Sequence, residues 1–191
     1  PFILVGRHPT ELGVNYVEVE NLNAVRKAVS HLLRLGRRRV ATITGPQNVI
    51  PGIDRREGYV LALRDRGLAA DPELIVEGDF TEAGAYAAMQ KLLPRQPDAV
   101  FAASDTMALG ALRALREAGR RVPEDVALVG FDDMPFAAHV APPLTTVRQP
   151  IHRLGALAAE TLIDLIEHPE TGARRFVLPT ELVIRASCGT G

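Results

Sequence analysis

Residues 126–150, VALVGFDDMPFAAHVAPPLTTVRQP, contain the break in the sequence that says most about the fold. An apolar run from Val126 to Phe131, long enough for a buried strand, ends abruptly at two adjacent acids, Asp132 and Asp133. A Pro-Pro pair then leads into a second extended stretch, residues 144–147. Two interpretations are open: the strand reaches the surface in a polar turn, or one acid points into a cleft and binds a ligand.

The composition is that of an ordinary soluble globular protein with one large domain or two small ones. Of the 191 residues, 47% are hydrophobic and 24% are charged, and the net charge of −1 disfavours a nucleic-acid-binding face. The single cysteine, Cys188, excludes a disulfide within the chain. No apolar run reaches about 18 residues. The opening PFILVGRHP lacks the basic leader of a signal peptide, so we expect a cytoplasmic protein without membrane segments.

Short apolar blocks alternate along the chain with segments of helical spacing, and Gly, Pro and Asp separate them. The predicted strands are residues 2–5, 16–19, 40–44, 74–76, 99–103, 126–131, 144–147, 176–178 and 182–184, and the predicted helices are residues 21–35, 55–66, 81–93, 105–118 and 154–166. Continuous apolar strands joined by helices indicate an α/β fold, with a parallel sheet covered by helices on both faces. Ligands of such sheets bind outside the carboxyl ends of the strands.

Signatures of catalysis are missing from the sequence. It contains no G-x-S-x-G elbow, no G-x-x-x-x-G-K-[ST] phosphate loop and no G-x-G-x-x-G, and its five histidines are scattered without metal-ligand spacing. Adjacent acids usually point in different directions, so Asp132 and Asp133 are not expected to share a proton. We therefore predict that the protein is not an enzyme and needs no metal or cofactor.

Polar and aromatic residues near the strand ends suggest a small-molecule pocket instead. The Asp132 carboxylate can accept two hydrogen bonds from the neighbouring hydroxyls of a sugar or ribose, unless it lies in a surface turn. Arg55, expected to open a helix, can donate forked hydrogen bonds, or it can be a solvated helix residue like Arg56 beside it. Phe80 can stack on a sugar or a base, or it can anchor its loop in the core. Asp105 is predicted to cap the helix that it begins.

Seven stretches occur in an order that resembles one known family. They are HLLRLGRRRVATITGP (31–46), RREGY (55–59), EGDFTEAGAY (77–86), SDTMALGALRAL (104–115), VPEDVALVGFDD (122–133), PPLTTVRQP (142–150) and LPTELVIRAS (178–187). This ordered set covers nearly the whole chain and resembles the effector-binding core of LacI/GalR (lactose-repressor-type) bacterial transcription regulators. The resemblance implies two similar α/β subdomains of the periplasmic-binding-protein-like type, linked by three crossovers, with the effector bound in the cleft between them.

The resemblance also implies roles for individual residues. The Arg of the R-x-x-G-[FYW] stretch, here Arg55, contacts the effector, and the aromatic residue of the G-D-[FW] stretch, here Phe80, packs on it. The first acid of G-[FY]-D-[DN], here Asp132, binds its hydroxyls, which favours the cleft interpretation of that acid. Ser104 stands where relatives often have an Asn that touches the ligand, and Asn23 corresponds to a position that can face the cleft.

The family pattern predicts how the chain divides. Residues 1–36 and 150–175 are expected to form part of an N-terminal subdomain, and residues 37–149 with 176–191 are expected to form a complete C-terminal effector-binding subdomain. The helix-turn-helix head, the hinge and the first half of the N-terminal subdomain are expected to be absent from this segment.

The predicted function is binding of a sugar or nucleoside-like effector by a regulator that acts on operator DNA only through the missing head. The resemblance implies a homodimer, with helix 107–118 and the apolar segment 135–140 as interface candidates, although residues 135–140 can also be core beneath a loop. Crossovers expected near Gly36, Pro150 and Glu170-Thr171 would act as hinges. A periplasmic sugar-binding transport receptor of the same fold is the alternative, because fold alone does not separate the two.

Overall fold

The structure, a computed structural model, describes residues 1–6, 13–169 and 172–189. Its strands are β1 (Leu4–Val5), β2 (Tyr16–Val19), β3 (Val40–Thr44), β4 (Ile75–Glu77), β5 (Ala99–Ala102), β6 (Ala127–Asp132), β7 (Thr145–Arg148), β8 (Arg175–Leu178) and β9 (Glu181–Val183). Its α-helices are α1 (Asn21–Arg34), α2 (Ile50–Arg64), α3 (Glu82–Leu92), α4 (Asp105–Glu117) and α5 (Ile151–Glu167). The predicted alternation of strands and helices is confirmed. Among the described helices, none has the length and apolar character needed to cross a bilayer.

The chain forms two compact units. The smaller unit consists of Pro1–Glu20 and Gln149–Thr180, and the larger unit consists of Asn21–Arg148 and Glu181–Gly191. The chain therefore passes between the units three times, after Glu20, Arg148 and Thr180.

The smaller unit is a parallel three-stranded sheet, in the order β1-β2-β8, with helix α5 packed on it. Its core consists of Val17 and Val19 from β2, Leu178 from β8, and Leu154 and Ala158 from α5. The two helix residues are four positions apart and so lie on the same face of α5. This one apolar stripe fixes the side of the helix that packs on the sheet.

The larger unit is a six-stranded sheet in the order β4-β3-β5-β6-β7-β9, in which the first five strands are parallel and β9 runs antiparallel to β7. Helices α1 and α2 cover one face, and α3 and α4 cover the other. Side chains of β5 alternate between the two cores: Val100 and Ala102 pack with α3 and α4, whereas Ala99 and Phe101 pack with α1 and α2. Because both faces of the central strands are buried, their sequences are mostly apolar.

The predicted N-terminal segment, residues 1–36, is divided between the two units. Residues up to Glu20 lie in the smaller unit, but α1 lies in the larger one. The apolar stripe of α1, which includes Val25 and Val29, is buried in the same core as Tyr59 of α2. The prediction was wrong for α1 because packing against α2, rather than position in the chain, decides which unit the helix joins.

The predicted boundary between residues 175 and 176 was also wrong. Strand β8 pairs in parallel with β2, with Phe176 opposite Val17, so the strand completes the smaller sheet. The predicted segment 37–149 lies in the larger unit as far as Arg148. Strand β9, in the final predicted segment, pairs with β7 and belongs to the larger unit as expected.

The three crossovers differ in part from their predicted positions. Gly36 is not a crossover, because with a φ of 88° it ends α1 inside the larger unit. The crossover expected near Pro150 lies directly after Arg148. The crossover expected at Glu170-Thr171 falls outside the described residues, and the structure places the third one after Thr180.

Helix α2 begins at Ile50, earlier than the predicted start at Arg55. Pro51 fits the first turn of this helix, where its missing N–H costs no intrahelical hydrogen bond. Arg55 therefore lies inside the helix and not at its opening, which gives its side chain a fixed direction.

The candidate dimer surfaces differ in character. Helix α4 buries its apolar residues against α3 and the sheet, and its exposed side chains, Arg113, Arg116 and Glu117, are charged. In segment 135–140, Ala137 is buried in the core, as the alternative interpretation held, whereas neighbouring residues of the segment are exposed. The homodimer stays a prediction.

Candidate functional site

The carboxyl edge of the larger sheet brings together the side chains that the sequence singled out. Arg55 lies on α2 after β3, Phe80 follows β4, and Asp132 ends β6. Arg55 Nη1 lies 3.8 Å from Asp132 Oδ1, and the Arg55 guanidinium carbon lies 6.0 Å from the centre of the Phe80 ring. The structure therefore places the three side chains in one cluster, and their binding of a ligand stays a prediction.

Arg55 is a buried cation with fixed partners and not a solvated helix residue. The residue is only 6% exposed. Its Nε donates a hydrogen bond to Asn21 Oδ1 (2.9 Å), and its Nη1 donates one to the carbonyl oxygen of Ala103 (2.6 Å). The guanidinium carbon also lies 3.6 Å from the centre of the Phe131 ring, a close cation–π contact. These contacts hold the guanidinium group in one position at the sheet edge.

The charge of Arg55 persists at neutral pH despite its burial. Burial lowers the pKa of Arg55 to about 10, although the carboxylates of Asp132, Asp54 and Asp105 oppose this effect. In such a poorly solvated position, a hydrogen bond donated by the guanidinium group is stronger than in water. A ligand oxygen at this edge would meet a positive group that is already ordered, which lowers the entropy cost of binding.

Phe80 has an unusual backbone that its surroundings stabilise. Its φ is 63°, a left-handed conformation that is strained for a residue with a bulky side chain. Gly45 makes room for its ring, because a Cβ at that position would lie 2.2 Å from Phe80 Cζ. The ring also contacts the buried core beneath α3 and α4 and is half-buried. Phe80 thus anchors its loop, as one interpretation held, and its stacking on a ligand stays a prediction.

The two adjacent acids at the end of β6 point to different partners. Asp132 faces Arg55, whereas Asp133 accepts hydrogen bonds from Arg148 Nε (2.6 Å) and Arg185 Nη2 (2.7 Å). Positive φ angles of 122° and 57° turn the chain sharply at the two residues. Burial tends to raise the pKa of Asp133, but hydrogen bonds from both guanidinium groups outweigh it, and the pKa lies below its usual value. The strand therefore ends in a partly buried junction and not in a solvated polar turn.

Ser104, not Asp105, caps helix α4. The Ser104 hydroxyl accepts a hydrogen bond from the Met107 N–H (3.2 Å), so the capping role predicted for Asp105 was wrong. Asp105 instead accepts hydrogen bonds from the Thr146 hydroxyl (2.6 Å) and the Met134 N–H (2.8 Å), which tie α4 to β7 and to the turn after β6. The Ser104 oxygen already serves the helix, and its contact with a ligand stays a prediction.

Asp105 makes the stability of the protein dependent on pH. Burial raises the pKa of Asp105 from 3.8 to about 6, against the opposing effect of its two hydrogen bonds. The folded protein thus binds a proton at Asp105 more readily than the unfolded chain does. The stability that this proton provides is present below about pH 4 and is lost as the pH rises to about 6.

Asp105→Asn removes this titration while keeping the side-chain shape. Relative to that variant, the unfolding free energy of the unmodified protein should fall by about 2–3 kcal/mol between about pH 4 and pH 7. Urea unfolding of both proteins across this range measures the difference. The prediction is contradicted if the unfolding free energy of the unmodified protein, minus that of the variant, stays constant or rises between these pH values.

Asn23 does not join the cluster. It lies on the exposed side of α1 and lines a shallow groove with Arg26 and Lys27, and the contact with Arg55 is made by Asn21. Two positions along an α-helix correspond to a rotation of roughly 200°, so the two asparagines face different ways. The residue of α1 that contacts the cluster is thus Asn21, which the sequence did not single out, and contact of Asn23 with an effector stays a prediction.

The fold and the cluster define a class of α/β proteins that bind small molecules at the carboxyl ends of parallel strands. The family described as periplasmic binding protein-like domain matches residues 29–188. The transcriptional regulator CelR of Thermobifida fusca is 47% identical over 191 residues, which cover 98% of this chain and 56% of CelR. The chain thus spans about half the length of the curated relatives it matches.

Similar solved structures identify the family within this broader class of domains. A complex of the transcriptional regulator CelR with cellobiose has a TM-score of 0.95 and 46% identity, over 98% of this chain and 58% of that one. A regulatory protein of the LacI family from Chloroflexus aggregans has a TM-score of 0.92 and 34% identity, over 98% of this chain and 68% of that one. The chain belongs to the LacI family of transcriptional regulators, within the periplasmic-binding-protein-like domains.

Proposed function

We propose that this chain is the effector-binding core of a bacterial transcriptional regulator and that its effector is a sugar. The observation that carries the proposal is the cluster of Arg55, Asp132 and Phe80, which offers a buried charged donor, an acceptor and an aromatic surface at one sheet edge. A sugar presents hydroxyl groups around a ring with an apolar face, so it matches this set. The solved relative in complex with cellobiose supports a saccharide rather than a nucleoside.

The regulatory part of the proposal concerns the whole protein. A sugar that binds two conformations unequally shifts their populations, typically with about 1–3 kcal/mol of coupling to the second site. Operator recognition would lie outside these 191 residues, because the regulators they resemble are almost twice as long. The whole protein is proposed to be cytoplasmic and to act as a homodimer, as the family resemblance implies. The alternative, a periplasmic transport receptor, is not favoured, because the relatives are named as transcriptional regulators.

Thermal unfolding of the full-length protein tests the effector class. Cellobiose, maltose, glucose, ribose and cytidine would be added one at a time. A ligand at 100 times its Kd stabilises the folded state by about 2.7 kcal/mol, which raises the Tm of a protein almost twice as long as this chain by roughly 3–5 °C. We expect this shift with cellobiose and none with cytidine. A shift with cytidine alone would change the effector class to nucleosides, and no shift with any of the five would contradict the proposal.

A further inference from the structure

At each of the three crossovers, the first or last residue of the larger unit contacts a charged side chain at or beside the site. Asn21 accepts a hydrogen bond from Arg55, Arg148 donates one to Asp133, and Glu181 accepts one from Arg148 Nη1 (3.1 Å). Arg148 and Glu181 are also register partners in the β7–β9 pair. The residues at all three crossovers therefore lie within one or two contacts of the acids that end β6.

The two acids are the point at which the crossovers and the site meet. Asp132 faces Arg55, while the next residue, Asp133, holds Arg148 and Arg185. Both acids have positive φ angles, and surrounding contacts must hold residues other than glycine in such a conformation. The Asp133 N–H also lies 3.4 Å from Thr146 Oγ1 on β7. A shift of the Asp132 backbone on ligand binding would therefore pass to Asp133 through the peptide that joins them.

The contacts of Asp133 contribute more to this network than the ion pair of Glu181 does. The side chains of Arg148 and Glu181 are 48% and 68% exposed, and an exposed ion pair of this kind contributes little. The Asp133 side chain is only 10% exposed and accepts charge-assisted hydrogen bonds from two arginines. Removal of the Asp133 charge therefore breaks the side-chain link from Arg148 to the acid turn, while the backbone pairing of Asp132 with Arg148 in the β6–β7 ladder remains.

We propose that Asp133 is a positioning residue that transmits occupancy of the site at Asp132 to the crossovers at Arg148 and Glu181. The inference rests on the proposed function, because it requires a ligand at Asp132. In this role the Asp133 carboxylate binds Arg148 and Arg185 and not the effector. It fixes the end of β7, and through Arg185 the segment after β9, relative to the turn that presents Asp132.

Hydrogen–deuterium exchange of the full-length protein, with and without cellobiose, tests the inference. In the unmodified protein, cellobiose should slow exchange around Arg55 and also in peptides that span residues 145–150 and 180–185. Asp133→Asn keeps the side-chain size and tolerates the left-handed backbone. In this variant, slowing around Arg55 should remain and slowing in the two crossover peptides should be lost. Its affinity for cellobiose should stay within about fivefold, the lower end of ordinary coupling factors.

Asp125→Asn is the matched control. It removes the acid of the Arg121–Asp125 ion pair just before β6, at the opposite edge of the same sheet, and should leave every response intact. If Asp133→Asn does not fold, Arg148→Gln removes the same contact from the other side. Slowing in the crossover peptides that survives the substitution overturns the inference. Loss of cellobiose binding confined to Asp133→Asn also overturns it, because Asp133 would then belong to the ligand site.

A ligand-free comparison separates this inference from the sugar proposal. Asp132→Asn alone should change exchange in the crossover peptides, and it should have no such effect in an Asp133→Asn background. If the unmodified protein binds none of the five ligands tested above but this dependence holds, the sugar proposal fails and the coupling role stands. If the effect of Asp132→Asn is the same in both backgrounds, the coupling role is overturned.

Discussion

Arg55→Ala is expected to lower the unfolding free energy by roughly 3–5 kcal/mol and to abolish effector binding. The guanidinium group donates to Asn21 and Ala103, stacks on Phe131 and faces Asp132, all in a nearly solvent-free position. Alanine removes these contacts together and leaves a cavity beside a carboxylate. The loss therefore combines an unmatched charge with lost hydrogen bonds and lost packing.

Arg56→Ala is the matched control for this substitution. Arg56 is the next residue of the same helix and is exposed, as the sequence predicted, so its removal should change stability by no more than about 0.5 kcal/mol. Urea unfolding of the two variants and the unmodified protein measures the difference. Equal unfolding midpoints for the two variants would show that the buried contacts of Arg55 carry no stability.

The order of strands and helices could be predicted because burial on both faces forces the central strands to be apolar. The run from Val126 to Phe131 illustrates this, since its side chains enter the cores on both sides of the sheet. The division of the chain between two units could not be predicted in the same way. Helix α1 and strand β8 have apolar stripes that would fit either unit, and only their partners in space decide where they pack.

The site could be predicted where chain direction alone determines position. Arg55, Phe80 and Asp132 follow parallel strands, so they must reach the same edge of the sheet. Asn21 and Asp105 were missed as members of this region because their roles depend on contacts with residues 34 and 41 positions away. No local pattern distinguishes an acid that caps its own helix from one that accepts hydrogen bonds from another strand.

Asp132→Ala is expected to weaken effector binding by on the order of 100-fold or more. A carboxylate that accepts two hydroxyl hydrogen bonds contributes about 1.5–3 kcal/mol through each, and about 3 kcal/mol already exceeds a 100-fold change in Kd. Asp132→Asn has the same shape and keeps one acceptor oxygen, so its loss should be smaller. Isothermal titration calorimetry with cellobiose gives the three affinities. An alanine variant that binds as tightly as the unmodified protein would remove Asp132 from the ligand site.

Asp132→Gly separates the carboxylate from the backbone that presents it. Glycine is ordinarily less stable than alanine inside a strand, by roughly 0.5–1 kcal/mol. With a φ of 122° the order should reverse at Asp132, because only glycine adopts this conformation without strain, and the glycine variant should exceed the alanine variant by about 1 kcal/mol in urea unfolding. Both variants lack the carboxylate and should bind cellobiose equally poorly. A glycine variant that is more stable than the unmodified protein yet does not bind cellobiose would mean that the acid is kept there, at a cost in stability, for the ligand. The ordinary order of glycine below alanine would instead mean that the turn relaxes without strain, and Asp132 could then move without displacing Asp133.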